Sequence, residues 1–263
     1  MGSCINQRLT NLTQNVKNND AFYDVENIAK IYPKKIKVFE FNQPFKKKIA
    51  GLVPVKNYNQ GQITKSETYQ AIKEIENMQR SVRRSKTKIS DMTECNDFDL
   101  FALFTFNPKK HDRYDHEQCK ITMQNWLHSQ AKQWGKFEYL IVPELHKDGA
   151  IHFHAILKGY KGVIRLNGHK DRSGRPKYDF VGFRAGIAQA TRIVDLTAGL
   201  EYVAKYIGKE MPDFENKKRY WASRSLKRPI VLYNSNHVYT KEKPQNLYQT
   251  SLYMAYEIPR LNQ

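Results

Sequence analysis

Apolar residues recur along this chain with two different periods. From Thr64 onward the spacing is helical: Ile72, Ile75, Met78 (or Gln79), Val82 and Ile89 fall near one face. Thr64-Lys65-Ser66-Glu67 fits a capping box just ahead of that run. A long helix ending near Met92 is therefore predicted. Leu100–Phe106 reads LFALFTF, a short apolar run of β-formers, and predicts a buried strand. Asp115 with Gln118 can cap a second helix, whose apolar stripe is Cys119, Met123, Trp126, Leu127, Ala131 and Trp134. Phe137–Leu145 and Ala150–Leu157 then read as two strands joined around Lys147-Asp148-Gly149, a hairpin signal. A further helix is expected from Asp195 or Thr197 to Met211, stopped by Pro212. Strand-like segments also occur at Ile36–Phe41 and Leu252–Ile258.

Composition adds a partner to this picture. Lys plus Arg number 44 against 26 Asp plus Glu, giving a net charge of +18 and a pI near 9.7. Counterion release makes a nucleic acid the natural polyanion for such a surface. The 263 residues suffice for one core of roughly 150–200 residues plus appendages. Residues 1–63, Asn/Gln-rich in places and carrying Lys46-Lys47-Lys48, read as an N-terminal extension. Residues 64–95 read as a basic helix leading into the core, with Arg80, Arg83, Arg84, Lys86 and Lys88 either solvated or touching phosphates.

Cys4, Cys95 and Cys119 are odd in number and lack metal-type spacing, as in reduced cytosolic thiols. No apolar run is long enough to span a membrane and no signal core is evident, so a cytoplasmic location is expected. Lys158–Lys177 holds four glycines and seven basic residues against one acid, and predicts a mobile cationic loop. Lys170, Arg172 and Arg175 are its expected DNA contacts. In the tail, Tyr220-Trp221 precedes Arg224, Lys227 and Arg228, a mixture suited to stacking on unpaired bases. No glycine-rich loop ends in Gly-Lys-Ser/Thr, so no helicase is expected in this chain.

The candidate chemistry lies at Ile151-His152-Phe153-His154. In a strand His152 and His154 share a face, and two adjacent imidazoles can share a metal ion. Glu144 lies across the predicted hairpin. A three-residue loop Lys147-Asp148-Gly149, with left-handed glycine, sets Glu144 opposite His152. A two-residue Asp148-Gly149 turn sets Glu144 opposite Phe153 instead, on the wrong face, and His146 is the alternative third ligand. Two imidazoles and a carboxylate suit Mn²⁺ or Mg²⁺ and leave positions for phosphate oxygens. Farther on, Leu196, Leu200, Val203 and Ile207 form a narrow helical stripe. Tyr202, Tyr206 and Lys209 fall together beside it, with the two hydroxyls one turn apart. A phenol is a weak nucleophile at neutral pH; Lys205, Lys209 and a metal offset that weakness.

Together these motifs resemble the HUH endonucleases, the initiators of rolling-circle replication. Leu103-Phe104-Thr105-Phe106-Asn107 resembles their first motif, His152-Phe153-His154 the second and Tyr202–Lys209 the third. Tyr-Val-Ala-Lys-Tyr is similar to the two-tyrosine initiators of microvirus-type phages. The resemblance covers about residues 96–230, and residues 96–263 are assigned to the endonuclease domain. It implies an α+β fold, a ferredoxin-like palm whose central antiparallel sheet is flanked by helices. It implies metal ligands Glu144, His152 and His154, catalytic Tyr202, Tyr206, Lys205 and Lys209, and DNA contacts that include Thr105, Asn107 and Arg224. The implied reaction is transesterification of single-stranded origin DNA through a 5′-phosphotyrosine, with a host polymerase and a host helicase as partners in a prokaryotic cytoplasm. The competing readings are a non-catalytic single-stranded nucleic-acid-binding protein, and a relaxase or transposase of the same chemistry.

Overall fold

The computed structural model describes residues 22–48, 67–194, 218–234 and 244–260. Along the chain run β1 (Phe22–Ile31), β2 (Lys35–Lys48), α1 (Glu67–Glu94), β3 (Leu100–Phe106), α2 (His116–Trp134), β4 (Glu138–Leu145) and β5 (Ile151–Lys158). There follow β6 (Ile164–Lys170), β7 (Pro176–Phe180), β8 (Gly186–Arg192), β9 (Trp221–Ala222), β10 (Ile230–Tyr233), β11 (Gln245–Gln249) and β12 (Tyr253–Pro259). The architecture is α+β, with two antiparallel sheets and two helices among the described residues. The chain divides into two compact units, Met1–Lys65 with Ile230–Gln263, and Ser66–Pro229.

The second unit is built on a seven-stranded sheet in the order β6-β7-β8-β3-β5-β4-β9. Alternation along its strands gives two faces. On one, Ala102, Phe104, Phe106, Ile151, Phe153, Ala155, Ala188 and Ala190 pack with Cys119, Met123, Trp126 and Leu127 of α2. Phe104, Phe106 and Phe153 are fully buried there, each contributing about 1.5–3 kcal/mol of transfer free energy. Asp115 caps α2, its Oδ1 accepting the Gln118 N–H at 3.0 Å. The predicted stripe of α2 bends at its end. Trp134 is 37% exposed, while Gln130 is buried and accepts the Tyr160 hydroxyl at 2.6 Å.

On the other face a smaller cluster joins Ile89 and Met92 of α1 to Leu140, Val142, Ile156 and Leu226. Here the structure departs from expectation. Ile72, Ile75 and Met78 are 57%, 53% and 53% exposed, so the predicted stripe is a core face only near the C-terminal end of α1. The reason is length. The 28 residues of α1 span about 42 Å, whereas β4 and β5, of 8 residues each, span about 26 Å. The expected capping residues Thr64 to Ser66 lie outside the described residues.

The predicted cationic loop is likewise corrected. Its residues form the β6–β7 hairpin, in which Ile164 opposes Phe180, Arg165 opposes Asp179 and Lys170 opposes Pro176. Its glycines serve as turn and bulge positions. Gly174, at φ 79°, donates its N–H to the Asp171 carbonyl at the tip, and Gly168, at φ 80°, lies where the register shifts.

The first unit contains a five-stranded sheet in the order β10-β1-β2-β12-β11. Residues 245–259 thus hydrogen-bond with strands from the N-terminal part of the chain, not with the sheet that carries the histidines. Val25, Ala29, Val38 and Ile258 are buried in this unit. No described helix in either unit is long and apolar enough to cross a membrane.

Candidate metal centre

The centre is assembled by one hairpin and its neighbour. His146 N–H donates to the Ala150 carbonyl and Gly149 N–H to the His146 carbonyl, both at 2.9 Å, with Gly149 at φ 85°. The loop is therefore Lys147-Asp148-Gly149, and the register sets Glu144 opposite His152 and Val142 opposite His154. On the far side of β5, β3 places Thr105 opposite His152 and Leu103 opposite His154. At Pro143 no described strand lies on the outer side of β4, since β9 pairs only at Leu140 and Ile141. A missing N–H is tolerated at such an edge.

Three donor atoms converge. Glu144 Oε2 lies 2.8 Å from His152 Nε2 and 2.6 Å from His154 Nε2, and the two Nε2 atoms are 3.1 Å apart. Glu144, His152 and His154 are only 4%, 6% and 3% exposed, which separates them from an ordinary solvent-facing histidine pair. Metal–ligand bonds of about 2.1 Å at right angles put neighbouring donors about 3 Å apart. The observed separations fit that requirement, and the mixed nitrogen and oxygen donors fit a divalent cation. Among the described residues His152 Nδ1 is buried without a hydrogen-bond partner. His152 Nε2 faces the Glu144 carboxylate, the side on which a carboxylate or an ion can fix the ring.

Burial pushes the His152 pKa down to about 4, aided by the nearby His154 and His146 and opposed by Glu144. The ring is accordingly neutral at neutral pH, the form that ligates metals. His146, the alternative third ligand, is exposed at the hairpin end with its ring 4.3 Å from that of His152; it does not belong to the converging group.

The other predicted site residues separate into groups. Thr105 shares the face of the two histidines and is half-buried. Asn107 follows β3 in a turn, where its Oδ1 accepts the Lys109 N–H at 2.9 Å. An open cavity of about 390 Å³ lies just beyond, lined by Pro108, Lys110, His111, Asp112, Arg113 and Tyr114. Lys170 and Arg172 are exposed at the β6–β7 tip, whereas the Arg175 guanidinium is held by Asp171 at 2.7 Å. Arg224 is exposed just after β9. Tyr202, Lys205, Tyr206 and Lys209 lie outside the described residues. One neighbour went unpredicted: Gln189 of β8 opposes Leu103 and so shares the site face. The segment GIAQATR, with few β-formers, offers no strand signal of its own.

Residues 99–211 match the protein family described as Replication-associated protein ORF2/G2P. That stretch contains Thr105, Glu144, both histidines and the Tyr202–Lys209 motif. The match supports a replication initiator of the Rep type. No curated protein and no solved structure matches the chain.

Proposed function

We propose that this protein is a metal-dependent endonuclease that nicks and rejoins single-stranded origin DNA to start rolling-circle replication of a phage or plasmid-like element. The observation that carries the reading is the buried convergence of Glu144, His152 and His154 within the stretch that matches the replication-associated family. The identification of the sheet as a ferredoxin-like HUH palm belongs to the same reading. It is supported by the placement of β5 between β3 and β4, with α2 packed on the opposite face.

Glu144, His152 and His154 hold the ion, Mn²⁺ or Mg²⁺. When bound, it supplies Lewis-acid polarisation of the scissile phosphate. The protein's own groups do the rest. The phenolic oxygen of Tyr202 or Tyr206 bonds to phosphorus, the bond from phosphorus to the 3′ oxygen breaks, and the phenolic proton is balanced by the proton gained by the 3′-hydroxyl. The products are a 5′-phosphotyrosine and a free 3′ end that primes a host polymerase, with a host helicase opening the duplex ahead. Lys205 and Lys209 offset charge on the phenolate. Thr105, Asn107, Lys170, Arg172, Arg175 and Arg224 hold the strand, contacts that position it without contributing to the chemistry.

The reading is tested by incubating the full chain with a single-stranded origin oligonucleotide in Mn²⁺ and resolving the products on a denaturing gel. A protein–DNA adduct that disappears with excess EDTA is expected. A mobility shift without cutting in Mn²⁺ would assign the chain to the non-catalytic binders.

A further inference from the structure

The sheet of the first unit carries a pattern that the nicking chemistry does not use. Lys35, Lys37, Phe39 and Phe41 alternate along one face of β2. On β12, the register sets Tyr253 beside Phe41, Ala255 beside Phe39 and Glu257 beside Lys37. On β1, Ile28 opposes Phe39 and Lys30 opposes Lys37. Tyr233 of β10 opposes Ile28, and Tyr248 of β11 opposes Ala255. One face of the sheet therefore has an aromatic end (Phe39, Phe41, Tyr233, Tyr248 and Tyr253) and a cationic end (Lys30, Lys35 and Lys37).

The geometry of the rings matters. Tyr253 lies 6.1 Å from Phe39, 6.1 Å from Phe41 and 6.2 Å from Tyr248, with interplanar angles of 58°, 58° and 50°. None of these pairs stacks face to face; Phe41 also meets Phe45 edge-on at 4.9 Å, and Lys47 Nζ lies 2.9 Å from the centre of the Tyr233 ring. Tyr248 is 58% and Tyr233 37% exposed. A single exposed ring is ordinary, but Phe39, Phe41, Tyr253 and Tyr248 form a connected group across three strands, with Tyr233 on the opposite edge. At the cationic end the Glu257 carboxylate lies 2.9 Å from Lys35 Nζ and 3.4 Å from Lys37 Nζ. Lys37 Nζ also lies 5.2 Å from the centre of the Tyr32 ring.

We propose that this face is a binding platform for single-stranded DNA, with unpaired bases on the rings and backbone phosphates towards the lysines. Every base has a π face, so such a surface takes unpaired strands with little regard to sequence. A duplex keeps its base faces inside its own stack and cannot use the rings. The lysines add the salt-dependent attraction common to phosphate binding. The platform requires neither a metal ion nor a tyrosine nucleophile, so it stands or falls separately from the cutting reaction.

The test uses the full chain in EDTA. Binding of a fluorescent oligo(dT) is followed by anisotropy, and a 5-iodouracil-substituted oligonucleotide is photocrosslinked and its attachment sites mapped by peptide mass spectrometry. Tyr248 lies exposed on the edge strand, so Tyr248→Ala should keep the fold, which is checked by an unchanged melting temperature. Its Kd should rise about fivefold or more, the loss of one stacked base, while Tyr248→Phe stays within about twofold. Crosslinks should fall in β2, β11 or β12, and a duplex of the same length should bind more weakly. Crosslinks confined to residues 66–229, equal affinity of Tyr248→Ala and the parent, equal affinity for duplex, or tighter binding of oligo(U) than of oligo(dT) would each overturn the proposal.

Discussion

Glu144 was readable as a partner of His152 only through the three residues between His146 and Ala150. Gly149 at φ 85° makes that loop, and one residue fewer would have turned the carboxylate to the α2 side of the sheet. The histidine pair was legible from alternation alone. Its burial was not, since that depends on the neighbouring strands β3 and β4. Burial has a measurable consequence through His152, whose pKa is lowered to about 4 from its usual 6.5. Between those values the unfolded chain binds the proton and the folded chain does not. Metal-free protein should therefore lose stability as pH falls from 6.5 towards 4. Replacing His152 with Gln should flatten the dependence of unfolding free energy on pH in that window by up to about one proton; an unchanged slope would mean that His152 titrates normally. His152→Ala and His154→Ala should each abolish cutting and remove the thermal stabilisation given by Mn²⁺. Most affinity for single-stranded DNA should remain, because phosphate contacts dominate it. Retained Mn²⁺ stabilisation in either variant would place the ion elsewhere.

At the scale of elements, the long periodic segments were legible and the strand pairings were not. The strand at Leu100–Phe106, the capped helix α2 and the β4–β5 hairpin each carry a local signal, and each forms as expected. β8 carries none, and it is held in place by β3. The position where it joins β3 is tight: a Cβ added at Gly186 would collide with the Thr105 carbonyl oxygen and press on Phe106 and Asn107. Gly186→Ala should therefore cost about 1–3 kcal/mol, read as a lowered urea midpoint, and should disturb Thr105 beside the histidines. A midpoint equal to the parent's would show that β8 gives way freely. The β6–β7 segment was misread because glycines and basic residues resemble a loop, whereas Ile164 and Phe180 anchor a hairpin. Its tip still suits a backbone contact. Replacing Lys170 and Arg172 with Ser should lower the slope of log Kd against log salt by about 1.4, roughly 0.7 per lost contact with a single strand. Arg175→Ser should change it less, because its guanidinium is already held by Asp171. An unchanged slope in the double variant would show that the tip faces away from the DNA.

For the molecule as a whole, the net charge of +18 announced the class of partner but not where it binds. The organisation into two units was the least legible feature. β1 and β2 pair with β10 and β12, partners about two hundred residues away in sequence, and such pairings leave no local pattern to read. The proposed nucleophile rests on sequence spacing alone: Tyr202 and Tyr206 stand four residues apart, outside the described residues. That pair carries the central claim, and adduct formation on a single-stranded origin oligonucleotide in Mn²⁺ tests it most directly. Tyr202→Phe and Tyr206→Phe should each still form a covalent protein–DNA adduct on a denaturing gel, and the double variant should form none. An adduct that persists in the double variant would contradict the account.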